Sequence, residues 1–338
     1  VKIATVFSSG VTNVNYRAVL PQREMERRGH DGVTVMVDAN GRFPASQLAD
    51  RDVIHVYRWA GRPLMKVLDD LRNRGAAIVW DNDDDPRLIP AESPSFKQYG
   101  SFNGAQDFRK QITMMGRAHV VTTTTRTLAE RYEAVFDGEI EVIENYLCDE
   151  QFSRDARQHD GIVIGWVAAL EHQADSQRLQ IAKVLRSVME QAPKVRVVTI
   201  GVRLDLDPAR YSHREFVPFP ELPGHVRQFD IGIAPLSDIP MSAARSNVKL
   251  KEYAAAGVPW LAARRGPSRG LGERQGGMLV DDDAWEDALL KLVGARLKRR
   301  QLRRNAESWA KSQHLSRHVH RWEAVYDAAL SRVGRSAA

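Results

Sequence analysis

Arg245, Ser246, Asn247, Lys249 and Glu252 crowd the start of the segment SNVKLKEYAAAGVPWLAA, residues 246–263, and the position just before it. The segment reads as a helix that stops at Gly257, is barred from continuing by Pro259, and gives way to a strand. Ser246 or Asn247 has a side-chain oxygen able to take up a free N–H of the first turn, and about three turns are expected. Lys249 and Glu252 share one face. A solvated charged pair is one reading of that face. The other is a phosphate site, where free N–H groups, the positive end of the helix dipole, Arg245 and Lys249 converge on an anion. Glu252, one turn deeper, could accept hydrogen bonds from the vicinal hydroxyls of a ribose. Together these groups have the chemistry to hold a nucleoside diphosphate.

Such a helix needs a framework, and the sequence supplies one twice. KIATVF, DGVTVMV, DVIHVY, AAIVWD, AHVVTTT and IEVIEN read as strands, with YRAVLPQREMERRG, PLMKVLDDLRNRG and TRTLAERYEAVF as helices among them. This alternation predicts a parallel sheet covered on both faces. The polar stretch CDEQFSRDARQHDG, residues 148–161, reads as a linker. The alternation then restarts: IVIGWV, VRVVTIG, HREFVPF, DIGIAPL, PWLAARR and GGMLVD are strands, and SQRLQIAKVLRSVMEQ is a helix. The expectation is an α/β protein of two doubly wound, Rossmann-like domains facing a cleft, over residues 1–150 and 161–312. Residues 313–338 should add a helix that packs back on the first domain, with Val319, Trp322, Val325, Tyr326 and Ala329 at helical spacing. Ligands of such sheets bind beyond the carboxyl ends of the strands.

Composition sets the outer limits. The 338 residues suit two domains, and no apolar run approaches the roughly 20 residues of a membrane helix. The opening VKIATVFSSG reads as a strand rather than a signal peptide, so cytoplasmic residence is expected. Cys148 is the lone cysteine, which excludes an intrachain disulfide and argues against a cysteine metal site. Residues 1–150 hold 19 Lys and Arg against 22 Asp and Glu, a balance of −3; the remainder holds 30 against 21, or +9, for a total of +6. The excess fits an anionic ligand near the second half. The basic run ARLKRRQLRR, residues 295–304, reads as a solvated helix face, with peripheral membrane contact as the alternative. Nucleic acid is not an expected partner, because no aromatic or glycine pattern accompanies the run.

At this point a family resemblance emerges. DIGIAPLSDIPMSAARSNVKLKEYAAAGVPWLAA resembles the donor-site segment of GT-B glycosyltransferases of the family-4-like group, with Lys249, Glu252, Tyr253, Ala255, Gly257 and Pro259 in the motif and Asp230 and Pro235 before it. IGWVAALEHQAD is similar to the first strand and loop of that group's second domain, through Gly165, His172 and Asp175, and VVTIG followed by Arg203 to the next. GVTNVNYRAVLPQREMERRGHDG resembles the first loop and helix of the acceptor domain, bringing in Gly10, Tyr16 and Arg17 as cleft residues. IVWDNDDD is similar to a subgroup with an Asp-rich strand end.

The resemblance implies a metal-independent transfer, with retention, of a sugar from a nucleotide-diphosphate sugar to an acceptor hydroxyl, and no bound cofactor. It implies donor contacts at Gly165, His172, Arg203, Arg245, Ser246, Asn247, Lys249 and Glu252. Two features depart from it. Ala244 stands where many retaining members have a glutamate eight positions before the motif Glu252, and the first loop of the second domain lacks the usual basic pair. Inversion would instead need a base, for which His55, Asp83 and Asp84 are the candidates. A catalytically inactive GT-B scaffold that binds a glycan or partner protein is the alternative function. An oxidoreductase is disfavoured, since neither first strand leads into a Gly-x-Gly-x-x-Gly turn.

Overall fold

A computed structural model of the chain describes residues 1–8, 13–150 and 159–333. Among the described residues twelve strands form two six-stranded sheets. The first contains β1 (Lys2–Ser8), β2 (Asp31–Val37), β3 (Val53–Tyr57), β4 (Ala77–Asp81), β5 (Val120–Thr123) and β6 (Ile140–Val142), in the order β2-β1-β3-β4-β5-β6. The second contains β7 (Ile162–Ala168), β8 (Val195–Gly201), β9 (Tyr211–Arg214), β10 (Ile231–Ala234), β11 (Trp260–Ala263) and β12 (Gly277–Val280), in the order β12-β11-β10-β7-β8-β9. Every pairing is parallel. Strands β3 and β4 are buried along their whole length, as strands covered on both faces must be.

The helices lie where the apolar stripes require. Leu64, Leu68 and Leu71 of helix Arg62–Asn73 pack on one face of the first sheet with Met114, Met115, Leu128 and Tyr132. The other face is closed by the end of the chain: Val319, Trp322, Val325, Tyr326 and Ala329 are buried against Ile3, Val53, Ala77, Val79 and Val120. Each large side chain buried this way stabilises the fold by about 1.5–3 kcal/mol. In the second sheet, helices Ile181–Gln191 and Trp285–Gly294 cover one face, while Leu250, Tyr253 and Phe229 lie on the other.

Several expectations need correction. The single helix read across SQRLQIAKVLRSVMEQ is two, Gln173–Arg178 and Ile181–Gln191, broken at Gln180 in the left-handed region with φ 49°. The strand expected at HREFVPF is displaced to Tyr211–Arg214; Pro218 and Pro220 lack the N–H groups a longer ladder would need. Most of the expected linker, residues 151–158, lies outside the described residues. In the basic run, Arg299 donates to the carbonyls of Leu292 and Val293, Lys298 pairs with Glu273 at 2.6 Å, and Arg303 donates to the Gly257 carbonyl at 3.1 Å. Much of that run therefore braces neighbouring elements. Among the described residues no helix is long and apolar enough to cross a membrane.

Candidate active site between two switch points

The strand order reverses between β7 and β10, so the loops that follow them diverge and leave a crevice. The helix Val248–Ala255, shorter than expected at eight residues, brings Lys249 in its first turn against His172 of the loop after β7. Asn247 is its N-cap residue but contributes no side-chain cap bond, and the Ser246 hydroxyl instead accepts from Asn145 Nδ2 at 3.1 Å. Asn145 belongs to the segment after β6, so this bond ties the helix start to the first domain. Lys251, on another face, is buried between Glu144 at 2.7 Å, the Asn145 carbonyl at 2.9 Å and the Tyr146 ring.

Lys249 and Glu252 face the crevice side. Lys249 Nζ lies 3.3 Å from His172 Nε2, and His172 Nδ1 lies 2.7 Å from Asp175 Oδ2. Asp175 Oδ1 accepts from the Ser237 N–H and hydroxyl, both at 2.7 Å, which joins the loops after β7 and β10. Burial, together with the nearby charges of Lys249 and Arg245, pushes the His172 pKa down to about 3, so the ring is neutral. Burial and the adjacent Arg245 bring Lys249 down to about 8, against the opposing pull of Glu252, Asp175 and Glu171. Arg245 makes no ion pair among the described residues; the one hydrogen bond of its side chain there is to the Met241 Sδ at 3.7 Å. Lys249 likewise has no carboxylate within ion-pair distance there. Glu252 is buried, which raises its pKa, and its carboxylate accepts a hydrogen bond from the Tyr16 hydroxyl of the first domain.

The first domain presents a different surface. Asp83 is closed off, its side chain 2% exposed, and accepts from Arg58 Nε at 2.5 Å, Tyr57 at 2.8 Å and Asn13 at 2.7 Å. Burial works against its charge, but Arg58 and Tyr57 hold its pKa low. Asp84 is 37% exposed and senses Arg245 and Glu171 of the other domain; burial raises its pKa despite Arg58 and Arg245. Asp85 caps the short turn Pro86–Leu88 through the Arg87 N–H, as an aspartate before proline is expected to. Among the described residues no group of three or more His, Cys, Asp or Glu is arranged to hold a metal ion.

Four proposed site residues are placed elsewhere. His55 lies inside β3, fully buried against Trp322 and Tyr326, and its Nδ1 is 3.1 Å from the Tyr326 hydroxyl; it is a core histidine with no route to an acceptor. Arg17 is also fully buried, clamped on Asp81 at 2.5 and 2.9 Å, donating to the Ile143 carbonyl and lying over Trp322. It braces the domain and does not line the cleft. Gly165 is small for packing: a Cβ there would stand 2.0 Å from the Phe229 ring. Arg203 is exposed and lines a depression of ≈ 470 Å³ with Gln173, Gln177, Lys183 and Asp205, and its charge is felt at His213. Gly10 lies outside the described residues. The structure thus brings together Tyr16, Asp84, His172, Arg245, Ser246, Asn247, Lys249 and Glu252. Sequence reasoning left out Asn145, Glu171, Asp175 and Ser237 as site residues; the His172–Asp175 spacing was the available signal for one of them.

This architecture is the GT-B fold. The chain is similar over its whole length to sucrose-phosphate synthase from Thermosynechococcus elongatus (TM-score 0.65, 14% identity, 100% of each chain). It is similar to an α-glucosyltransferase in complex with UDP-glucose and DNA containing an abasic site (0.70, 10% identity, 96% of this chain and 99% of that one). A putative UDP-N-acetylglucosamine 2-epimerase from Listeria monocytogenes also matches (0.57, 13% identity, 94% of each chain). No protein-family model and no curated protein matches the chain.

Proposed function

We propose that the chain is a glycosyltransferase that moves a sugar from a nucleotide-diphosphate sugar to an acceptor hydroxyl. The observation that carries this reading is the adjacency of Arg245 and Lys249 at a helix N-terminus with no carboxylate paired to either among the described residues. Burial and the neighbouring Arg245 lower the proton affinity of Lys249, and a diphosphate placed across the two cations relieves that cost. The diphosphate sits across Arg245, Lys249 and the first free N–H groups of helix Val248–Ala255. The ribose hydroxyls take the Glu252 carboxylate in place of the Tyr16 hydroxyl.

In the reaction the anomeric carbon–oxygen bond to the diphosphate breaks and a bond to the acceptor oxygen forms. Negative charge grows on the departing diphosphate, where Lys249 and Arg245 stabilise it without a metal ion. Transfer proceeds with retention, and the acceptor proton passes to the departing phosphate oxygen. Two features support this over a dedicated base: His55 is buried in the core, and Asp83 is saturated by three donors. Asp84, facing Arg245 across the cleft, then orients the acceptor. The acceptor itself is a hydroxyl compound that enters from the first domain.

The test is incubation with UDP-, GDP- and ADP-sugars in EDTA, with products resolved by mass spectrometry. One donor should release its nucleoside diphosphate, and Lys249→Ala should abolish the release. Isomerisation of the sugar nucleotide without release, or no turnover of any donor across an acceptor panel, would overturn the assignment.

A further inference from the structure

The contact between Lys249 and His172 is unusual because the lysine ammonium points at a ring nitrogen rather than at a carboxylate. The chemistry of the neighbours fixes what that nitrogen is. Asp175 is held ionised: burial opposes its charge, but His172 and Ser237 bring its pKa down. An ionised carboxylate only accepts, so the His172 proton is on Nδ1, facing Asp175 at 2.7 Å. Nε2 is then a lone pair, and Lys249 donates to it at 3.3 Å. Asp175 is in turn fixed by the Ser237 N–H and hydroxyl at 2.7 Å, with the Ser242 hydroxyl at 3.4 Å. The chain of bonds runs from the loop after β10, through the loop after β7, to the helix Val248–Ala255.

We infer that Asp175 and His172 are positioning residues: they present a neutral acceptor to Lys249 that aims its ammonium into the crevice while leaving its charge available to an anion. A carboxylate in the place of His172 would hold the ammonium equally well but would neutralise it. An apolar side chain would leave it without a bond and free to swing toward Glu252. The inference rests on the donor-site reading above, since it is the diphosphate that the ammonium addresses.

The charged and titratable groups around Lys249 are Arg245 just before its own helix, Glu252 on that helix, and Glu171, His172 and Asp175 after β7. From the first domain, Tyr16 reaches Glu252, and Asp84 acts on Arg245 and Glu171. Tyr16 is held protonated by burial and by Glu252, so it adds no charge change near neutrality. Lys249, whose pKa lies at about 8, changes charge between pH 7 and 9.

The test is calorimetric titration of the full chain with UDP, GDP and ADP from pH 6.5 to 9.5, for the wild type, Asp175→Asn, His172→Ala and His172→Gln. Wild-type affinity should fall as the pH passes about 8. An asparagine cannot serve the Ser237 N–H and the His172 N–H at once with one oxygen, so in Asp175→Asn the ring proton moves to Nε2 and opposes Lys249. Asp175→Asn and His172→Ala should each shift the fall by roughly one pH unit toward acid, as expected for loss of a nearby charge or an acceptor. His172→Gln, which offers a neutral carbonyl oxygen, should restore most of the wild-type profile.

If the variants weaken binding by one factor at every pH, the pair is only a brace and the inference fails. If no nucleotide binds, the donor-site reading fails, and ¹⁵N-histidine spectra decide the positioning pair on their own. A neutral Nδ1–H ring for His172 from pH 5 to 9, lost in Asp175→Asn, would sustain it, whereas an Nε2–H ring or an imidazolium would overturn it.

Discussion

The cluster around Asp81, Asp83 and Asp85 in the first domain and the cluster around Lys249 in the second are both rich in charge, yet they use it in opposite ways. In the first sheet the charges are spent on one another: Arg17 on Asp81, Arg58 on Asp83 and Arg87 on Asp85, all as close pairs. In the second, Arg245 and Lys249 stand side by side without a carboxylate paired to them among the described residues, beside a histidine kept neutral. Paired charges fix a loop; unpaired like charges are held together by the rest of the fold, and in the proposed function they are the groups that meet the diphosphate. The difference separates a braced platform from the proposed donor site.

The largest effect should come from breaking the braced side. Arg17→Ala leaves Asp81 buried without its partner and should cost about 3–5 kcal/mol of stability, read by denaturant unfolding. Arg245→Ala, on the primed side, should cost less than about 1 kcal/mol in the same assay, because it removes a like charge from Lys249. Equal losses in the two variants would erase the comparison.

The core histidine provides the next largest effect. Burial, against the pull of Asp81 and helped by Arg17, lowers the His55 pKa from its ordinary 6.5 to about 4. The unfolded chain therefore takes up a proton that the folded chain refuses. The contribution of this group is complete above pH 6.5 and is lost as the pH falls toward about 4, amounting to about 3 kcal/mol. His55→Leu should flatten that part of the stability–pH curve; an unchanged slope would show that His55 is not the buried neutral group described.

A smaller effect is expected on ligand binding. Lys249→Ala should weaken nucleoside diphosphate binding by about 2 kcal/mol, roughly thirtyfold, without loss of folding. Smallest of all, Tyr16→Phe removes the hydroxyl that occupies Glu252 and should leave nucleotide affinity unchanged or slightly improved, within about 1 kcal/mol, in the same titration. A large loss would place Tyr16 among the ligand contacts instead.

The parts of this architecture that were legible in the sequence are those written in local pattern. Strand–helix alternation, the Gly257 and Pro259 stop signal and the apolar stripe of the final helix all depend on neighbours a few positions apart, and all appear in the structure. The placement of Lys249 and Glu252 one turn apart on the same helix was legible for the same reason. What stayed hidden depends on partners far along the chain. Arg17 looked like a cleft residue because nothing nearby shows that Asp81, Ile143 and Asn145 enclose it. His55 looked available because Trp322 and Tyr326, which bury it, come from the other end of the sequence. Gly165 entered as a donor contact through the family resemblance, while the ring of Phe229 explains why a glycine stands there. Asn145, which bridges Arg17 and Ser246, has no local signature at all.

The claim that Arg245 and Lys249 form an anion site primed for a nucleoside diphosphate is tested most directly by thermal unfolding in EDTA against UDP, GDP, ADP and dTDP, for the wild type and Lys249→Ala. At about 100 times its dissociation constant, a ligand that binds the folded state adds about 2.7 kcal/mol, an easily resolved shift in midpoint. The account predicts that one of these nucleotides shifts the wild type and that Lys249→Ala, while keeping its own fold, retains only about a third of that stabilisation, about 0.9 kcal/mol. A well-folded wild type that responds to none of them, or a Lys249→Ala variant that responds as strongly, would contradict it.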